Sequence, residues 1–427
     1  MFIKKQQQSA TKQKIIDEFA QHVSSGKAAF FEKYNMQFIT GERNNCWLED
    51  IDGSQKLFNL HCNGGVFNLG HKNPEITDVL KDAINHCDIG NHHLLSQYRA
   101  NLAKQIASTM PDKLNSVIFG VSGGEAVDLA IKLARGHTNR QKIVSVFGGY
   151  HGHTGLSVQA GDEKYRQPFN IQADGFQQVI FNDFDAMDKA LDEHAAAVIL
   201  ETIPATLGML MPAENYLQTV RNWCDQRGIL LILDEVQTGW GRTGKLWAFE
   251  HYDIEPDMVV LGKGMSGGLY PISATVISEE LKSIFEQEPF VHVSTFGGSE
   301  LGCIVASKVL EMSSSKAFLS HVNELAEAFS NQLLQLNQPP LKSFQQKGLM
   351  MALELESDIA GPILTKTAYD QGLLMIYANN RPSAVQFLPP LIMDIEDIPD
   401  IIERLIKALK QARLLIPLVT VKEKLGF

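Results

Sequence analysis

The sequence predicts an α/β fold: a large, mostly parallel sheet domain with a smaller α+β domain beside it. Three observations carry that reading. Apolar runs rich in Val, Ile and Leu alternate with helical patterns through the middle of the chain, the texture changes after residue 310, and an Asp-Gly hairpin pattern stands near the N-terminus.

The apolar runs at 116–119, 142–147, 195–202, 229–234 and 257–262 are short and continuous, as strands buried on both faces are. Between the first two, Ala126, Leu129, Ala130 and Leu133 fall at i, i+3, i+4 and i+7, with Gly136 placed to end the helix. Between the third and fourth, Leu217, Val220 and Cys224 repeat the pattern and Gly228 is the stop. Ligands of such a sheet are expected at the carboxyl ends of its strands.

Downstream, "GLMMALELES", "SAVQFLPPLIM" and the amphipathic "IPDIIERLIKALKQA" suit a small α+β domain, which "CWLEDIDGSQKLFNL" is expected to join as a hairpin. The expected division is residues 1–60 contributing to the small domain, 61–310 forming the large domain and 311–427 completing the small one.

Bulk properties narrow the function. At 44% hydrophobic and 20% charged residues the 427-residue chain reads as globular, and its formal net charge of -11 argues against wholesale binding to nucleic acid or anionic lipid. Five cysteines lie scattered without CxxC spacing, as expected of reduced thiols in a cytoplasmic protein, and no metal-ligand spacing is satisfied. The polar opening "MFIKKQQQSATKQK" has no apolar core, so no membrane partner is expected, and the first dozen residues are expected to fray.

Each buried run ends in chemistry-bearing residues. "FGVSGGEAVDLA" offers Gly123 and Gly124 at a helix start, where backbone N–H groups suit an anion; Ser122 and Glu125 read equally well as a helix cap. "FGGYHGHTG" places Tyr150, His151 and His153 at the same rim, with Tyr150 as a stacking surface. Asp234 closes "LILD", where burial disfavours its charge unless a cation compensates, an arginine being the ordinary partner. Lys263 ends the neighbouring run in "LGKGMSGGLYP". An electrophilic aldehyde, a basic ring nitrogen and a phosphate held by one ligand would meet Lys263, Asp234 and the glycine turn; pyridoxal 5′-phosphate is that ligand.

With "LDEVQTGWGRTG" followed by "PDMVVLGKGMSGGLYPISA", the chain resembles class III (ω-amino-acid type) pyridoxal-phosphate aminotransferases across nearly its whole length. The resemblance implies the aspartate aminotransferase-like fold and a homodimer with active sites at the interface. It implies that Lys263 forms the Schiff base and moves the substrate proton, that Asp234 partners the pyridine nitrogen, and that Gln237 bonds the ring hydroxyl. Gly123 and Gly124 would hold the phosphate, with Thr295 of "HVSTFGGSE" reaching it from a second subunit. Tyr150 would stack on the ring, with His151 and Glu201 lining the same site. The implied reaction moves an amino group from an amine to a keto acid or aldehyde.

Two departures bear on substrate. Many relatives carry an arginine before "LPPL" that binds a substrate carboxylate, and this chain has Gln386, a loss of about 2 kcal/mol or more in a desolvated pocket. His153 stands where several relatives have another arginine; Arg381, Arg43 and Arg166 are the candidate substitutes. The "YHGH" string is also similar to that of glutamate-semialdehyde aminomutases, so mutase or racemase chemistry is the nearest alternative, and a non-catalytic cofactor-binding protein the alternative of another class.

Overall fold

The computed structural model describes residues 9–424. Its centre is a seven-stranded sheet in the order Ser116–Gly120, Ser273–Ile277, Met258–Leu261, Leu230–Asp234, Ala195–Glu201, Lys142–Val146, Phe176–Val179. The last five strands run parallel, and Ser273–Ile277 pairs antiparallel with both its neighbours. The five apolar runs are all strands; Ser273–Ile277 and Phe176–Val179 are additions.

Both faces of this sheet are covered, which is why its strands read as continuous apolar runs. Ile199, Ile232 and Val260 point to one side, where Ala126, Leu129, Ala130 and Leu133 of the helix Gly123–Thr138 pack on them. Val198, Leu200, Leu231, Leu233, Val259 and Leu261 point to the other. Each fully buried aliphatic side chain contributes on the order of 1.5–3 kcal/mol. The helix runs past Gly136 and stops at Asn139, which takes the left-handed conformation at φ 52°. A glycine inside a helix is tolerated when flanking residues pack well, so Gly136 alone did not end it. Gly228, at φ 59°, does close the helix Tyr216–Arg227.

A second core gathers both ends of the chain. The strands Leu341–Lys347, Met350–Leu355, Arg381–Phe387 and Ile376–Ala378 form an antiparallel sheet. The hairpin Trp47–Asp50 and Lys56–Asn59 turns through Gly53 at φ 68° and pairs onward, in parallel, with Leu373–Leu374. Cys46, Phe58 and Leu60 from the N-terminal side pack with Phe329, Leu353, Phe387 and Leu405.

Fraying was expected of the first dozen residues. Residues 1–8 lie outside the described residues, and from Ala10 the chain is helical, capped by Ser9. Lys12 is buried against Asp50 at 2.5 Å, and that ion pair ties the first helix to the hairpin.

Candidate active site

The parallel register aligns Glu201 with Asp234, and Asp234 with Val260, three residues before Lys263. Strand ends therefore deliver two carboxylates and an amine to one rim, as the sheet rule requires. A pocket of about 350 Å³ opens there, lined by Ser122, Gly123, Gly124, Tyr150, His151, His153, Glu201, Asp234, Gln237 and Lys263 among others. Of the residues expected from sequence to hold the cofactor or carry catalysis, Thr295 alone is not part of it; it is exposed on the segment before the helix Glu300–Ser313.

At one end, Ser122 Oγ accepts from the Glu125 N–H at 3.2 Å and Glu125 Oε2 accepts from the Val121 N–H at 2.7 Å. The cap is formed, and it is compatible with an anion site, because capping leaves the first N–H groups of the helix, those of Gly123 and Gly124, without an intrahelical partner. Gly152, at φ +110°, lies over this turn, and a Cβ there would come within 2.6 Å of the Gly124 Cα. The cradle exists because both positions lack side chains.

In the middle, His151 Nδ1 donates to Asp234 Oδ2 at 2.9 Å, and the Val236 N–H donates to Asp234 Oδ1 at 3.0 Å. An arginine is the ordinary partner for such an aspartate; here the partner is an imidazole. Burial works against a charge on His151, but the hydrogen bond and charge of Asp234, with Glu201 behind, outweigh it and hold its pKa above the usual imidazole range. Glu201 accepts from the backbone N–H groups of Tyr150 at 2.9 Å and Ala205 at 3.1 Å, and burial raises its pKa. Tyr150 presents its ring at the pocket mouth, edge-on to His153 at 5.0 Å.

At the other end, Lys263 Nζ donates to Gln237 Oε1 at 2.5 Å. Burial lowers the lysine pKa, against the pull of Glu201 and Asp234, so the neutral amine is favoured relative to an exposed lysine. Its backbone sits at φ 43°, a conformation that costs a β-carbon-bearing residue on the order of 1 kcal/mol and aims the side chain back across the pocket. Cys62, Asn63, Gly64 and Gly65 also take positive φ, and a Cβ on Gly64 would lie 3.2 Å from Lys263 Nζ. That loop is the wall facing the amine.

Three supporting groups escaped the sequence reading. Glu235 is fully buried and accepts from Thr202 Oγ1, Thr238 Oγ1 and the N–H groups of Ala248 and Phe249, at 2.5, 2.7, 2.9 and 3.0 Å. Arg242 is fully buried and donates to the carbonyls of Leu349 and Pro389 and to Asn68 Oδ1. His61 stands near Lys263 and Arg242; burial, then those two charges, lower its pKa to about 4, so it is neutral. Of the candidate carboxylate handles, Arg381 pairs with Glu354 at 3.0 Å, Arg43 donates to the Gly41 carbonyl, and Arg166 ends the short helix Glu163–Arg166; none lines the pocket. Gln386 is buried beside Gln237, whose Nε2 donates to its Oε1 at 3.4 Å.

The family model for class III aminotransferases matches residues 30–409, and an uncharacterized aminotransferase of Archaeoglobus fulgidus is 51% identical over 403 residues, 94% of this chain and 95% of that one. The chain is a class III aminotransferase. Solved structures of the same fold include ornithine aminotransferase from Toxoplasma gondii, with a TM-score of 0.84, 24% identity and coverage of 98% of this chain and 97% of that one. A Bacillus anthracis aminotransferase matches with a TM-score of 0.84 at 24% identity, over 95% of this chain and the whole of the other. The expected fold, family and transaminase activity are thus established for this aminotransferase, and its cofactor is pyridoxal 5′-phosphate.

The donor set fits that cofactor. A buried amine, a buried carboxylate held by an imidazole, and unpaired N–H groups at a glycine-built helix start answer an aldehyde, a ring nitrogen and a phosphate. No cluster of His, Cys, Asp or Glu among the described residues is arranged to hold a metal, and no helix among them is long and apolar enough to cross a membrane. All five cysteines are free.

Proposed function

We propose that Lys263 is both the attachment point for the cofactor and the base that carries the substrate proton. The observation that carries this reading is a buried lysine with lowered pKa at the aligned ends of two strands bearing Glu201 and Asp234. Bound pyridoxal phosphate supplies an electron-withdrawing ring that stabilises negative charge on the carbon bearing the amine. With its pKa lowered by burial, the Lys263 Nζ would be the group in the pocket able to take a proton from that carbon and return it one step along.

Asp234 is oriented toward the ring nitrogen because His151 and the Val236 N–H hold both its oxygens. Gln237 orients the lysine amine and is the group for the ring hydroxyl, Gly123 and Gly124 offer N–H groups to the phosphate, and Tyr150 covers the ring face. Thr295 is exposed and outside the pocket of its own chain, as a residue serving a second copy would be, which supports a homodimer with shared sites. The division into a large cofactor-binding domain over 61–310 and a small domain from both chain ends rests on the two separate cores. The substrates are a small amine and a keto acid or aldehyde acceptor, and the free thiols suit the cytoplasm.

Lys263→Ala tests the assignment: turnover and the visible absorbance of the lysine-bound cofactor disappear while circular dichroism is unchanged. Retained transamination in that variant refutes it.

A further inference from the structure

The two cores meet along a seam that begins just past Glu201. There Ile203, Ala205 and Met209 pack on Met350, Ala352 and Leu388. Gly208, at φ +75°, brings this segment so close to the strand Arg381–Phe387 that a Cβ on it would lie 2.5 Å from the Ala384 Cβ. Apolar packing of this kind is strong but non-directional, so it leaves the register between the cores to polar contacts.

Those contacts converge on Asn380, in the two-residue turn between the strands Ile376–Ala378 and Arg381–Phe387. Neither Asn379 nor Asn380 takes positive φ, so the turn lacks the primed geometry that suits so tight a hairpin. It is held from outside instead. The Gly148 carbonyl can only accept, so the Asn380 amide nitrogen faces it, at 2.8 Å, and reaches Thr206 Oγ1 at 3.3 Å. The amide oxygen is thereby turned to the Tyr165 hydroxyl at 3.2 Å, and the Asn380 backbone N–H donates to Thr206 O at 3.2 Å. Thr206 Oγ1 itself donates to the Gly148 carbonyl at 2.6 Å, and Lys164 Nζ to that of Asn379 at 3.1 Å.

Each of the side chain's partners leads to a residue of the pocket. Gly148 precedes Tyr150 and His151 on one loop, and the Tyr150 N–H is bonded to Glu201. Thr206 follows Ala205, whose N–H holds the other oxygen of Glu201. The Tyr165 ring lies 4.8 Å from His153, and His153 lies 5.0 Å from Tyr150. We propose that Asn380 is a positioning residue: it pins the loop 148–153 to the second sheet and so sets where the Tyr150 ring lies over the bound cofactor. This rests on the reading in which Lys263 holds that cofactor and Tyr150 covers its ring.

Asn380→Asp tests it, because it keeps the size of the side chain and an acceptor for Tyr165 but turns a carboxylate oxygen on the Gly148 carbonyl. Asn380→Ala removes every side-chain contact and guards against a fault peculiar to the added charge. Ser383→Ala, which loses the hydroxyl bonded to Glu354 on the same strand, is the control for stability alone. In cofactor-free protein, amide hydrogen exchange over residues 147–153 should quicken by about tenfold in both Asn380 variants, the scale of one hydrogen bond lost from a local opening. In cofactor-loaded protein, the circular dichroism of the visible lysine-bound band, which reports the asymmetry of the ring's surroundings, should lose amplitude in the same two variants. Ser383→Ala should move neither. Unchanged exchange in both Asn380 variants, faster exchange with the dichroism intact, or a control that shifts both readouts as far overturns the proposal. A wild-type enzyme with no lysine-bound band refutes the Lys263 reading instead, and the exchange measurement then decides the tie alone.

Discussion

The Nδ1 of His151 lies 2.9 Å from Oδ2 of Asp234, and both side chains are almost entirely removed from solvent. A lone buried aspartate would be driven toward its neutral form. The imidazole supplies a hydrogen-bond donor there, and it also removes rotational freedom from the carboxylate that would face a ring nitrogen. Because the pair shares one proton between two sites, disturbing either changes the charge the pocket presents.

His151→Gln is therefore expected to keep the fold and weaken cofactor retention, with a loss on the order of 1–3 kcal/mol for a buried hydrogen bond to a charged group. The pH dependence has a definite sign. Folding raises the His151 pKa, so its stabilisation is complete below the ordinary imidazole value and fades as pH rises through the higher folded value. The stability gap between wild type and His151→Gln, read from denaturant midpoints of cofactor-free protein, should be widest in mild acid and narrow toward alkaline pH. A gap that widens with pH contradicts the arrangement.

Lys263 carries the opposite sign. Its pKa is lowered on folding, so across the range from that lowered value up to the ordinary lysine value of 10.5 the unfolded chain binds more protons and stability rises with pH. Lys263→Met removes a buried ionisable group and should raise the melting temperature of cofactor-free protein near neutrality while abolishing turnover. Differential scanning at neutral and alkaline pH checks it: the advantage of the variant should shrink as pH climbs.

How much of this was legible in the sequence depends on what each residue's role leaves in local pattern. Asp234 and Lys263 could be found because a polar group at the end of an apolar run is conspicuous, and a parallel sheet collects such ends on one side. The antiparallel strand Ser273–Ile277 was missed because "SATVI" follows a glycine-rich turn with no helix between, so no strand–helix alternation marks it. Arg242 and Glu235 were missed for a different reason. Each satisfies backbone groups far away in sequence, and a charged residue in a Gly-rich stretch reads as solvated until the chain is folded over it. The exchange of an arginine for His151 as the partner of Asp234 was open in the sequence, since "YHGH" and "LILD" carry no mark of their pairing.

Gly152→Ala tests the phosphate cradle. The position takes φ +110°, and the added carbon would approach the Gly124 Cα to 2.6 Å, so the turn must open where the Gly124 N–H faces the pocket. Weaker binding of pyridoxal phosphate by about tenfold or more is expected from displacing one charge-assisted contact, with little change in affinity for phosphate-free pyridoxal. Equal weakening of both ligands would place the phosphate elsewhere.

Arg242 links the strand-end loop to distant parts of the chain through one fork. It donates to Leu349 O at 3.1 Å, Pro389 O at 2.7 Å and Asn68 Oδ1 at 2.6 Å, and its own carbonyl accepts from the Leu349 N–H at 2.9 Å. Burial lowers its pKa to about 10, which still leaves it charged at neutral pH. Arg242→Met leaves those acceptors buried and unpaired, and should cost on the order of 3–5 kcal/mol, as removing one side of a buried charged network does. Arg242→Lys keeps the charge but not the planar fork, so it should recover only part of that loss. Asn68 sits against Gly65 in the loop that faces Lys263, so both variants should also raise the rate at which cofactor is lost, in proportion to their loss of stability. A lysine variant with wild-type midpoint and wild-type cofactor release would mean that the charge alone, and not the fork, holds these elements together.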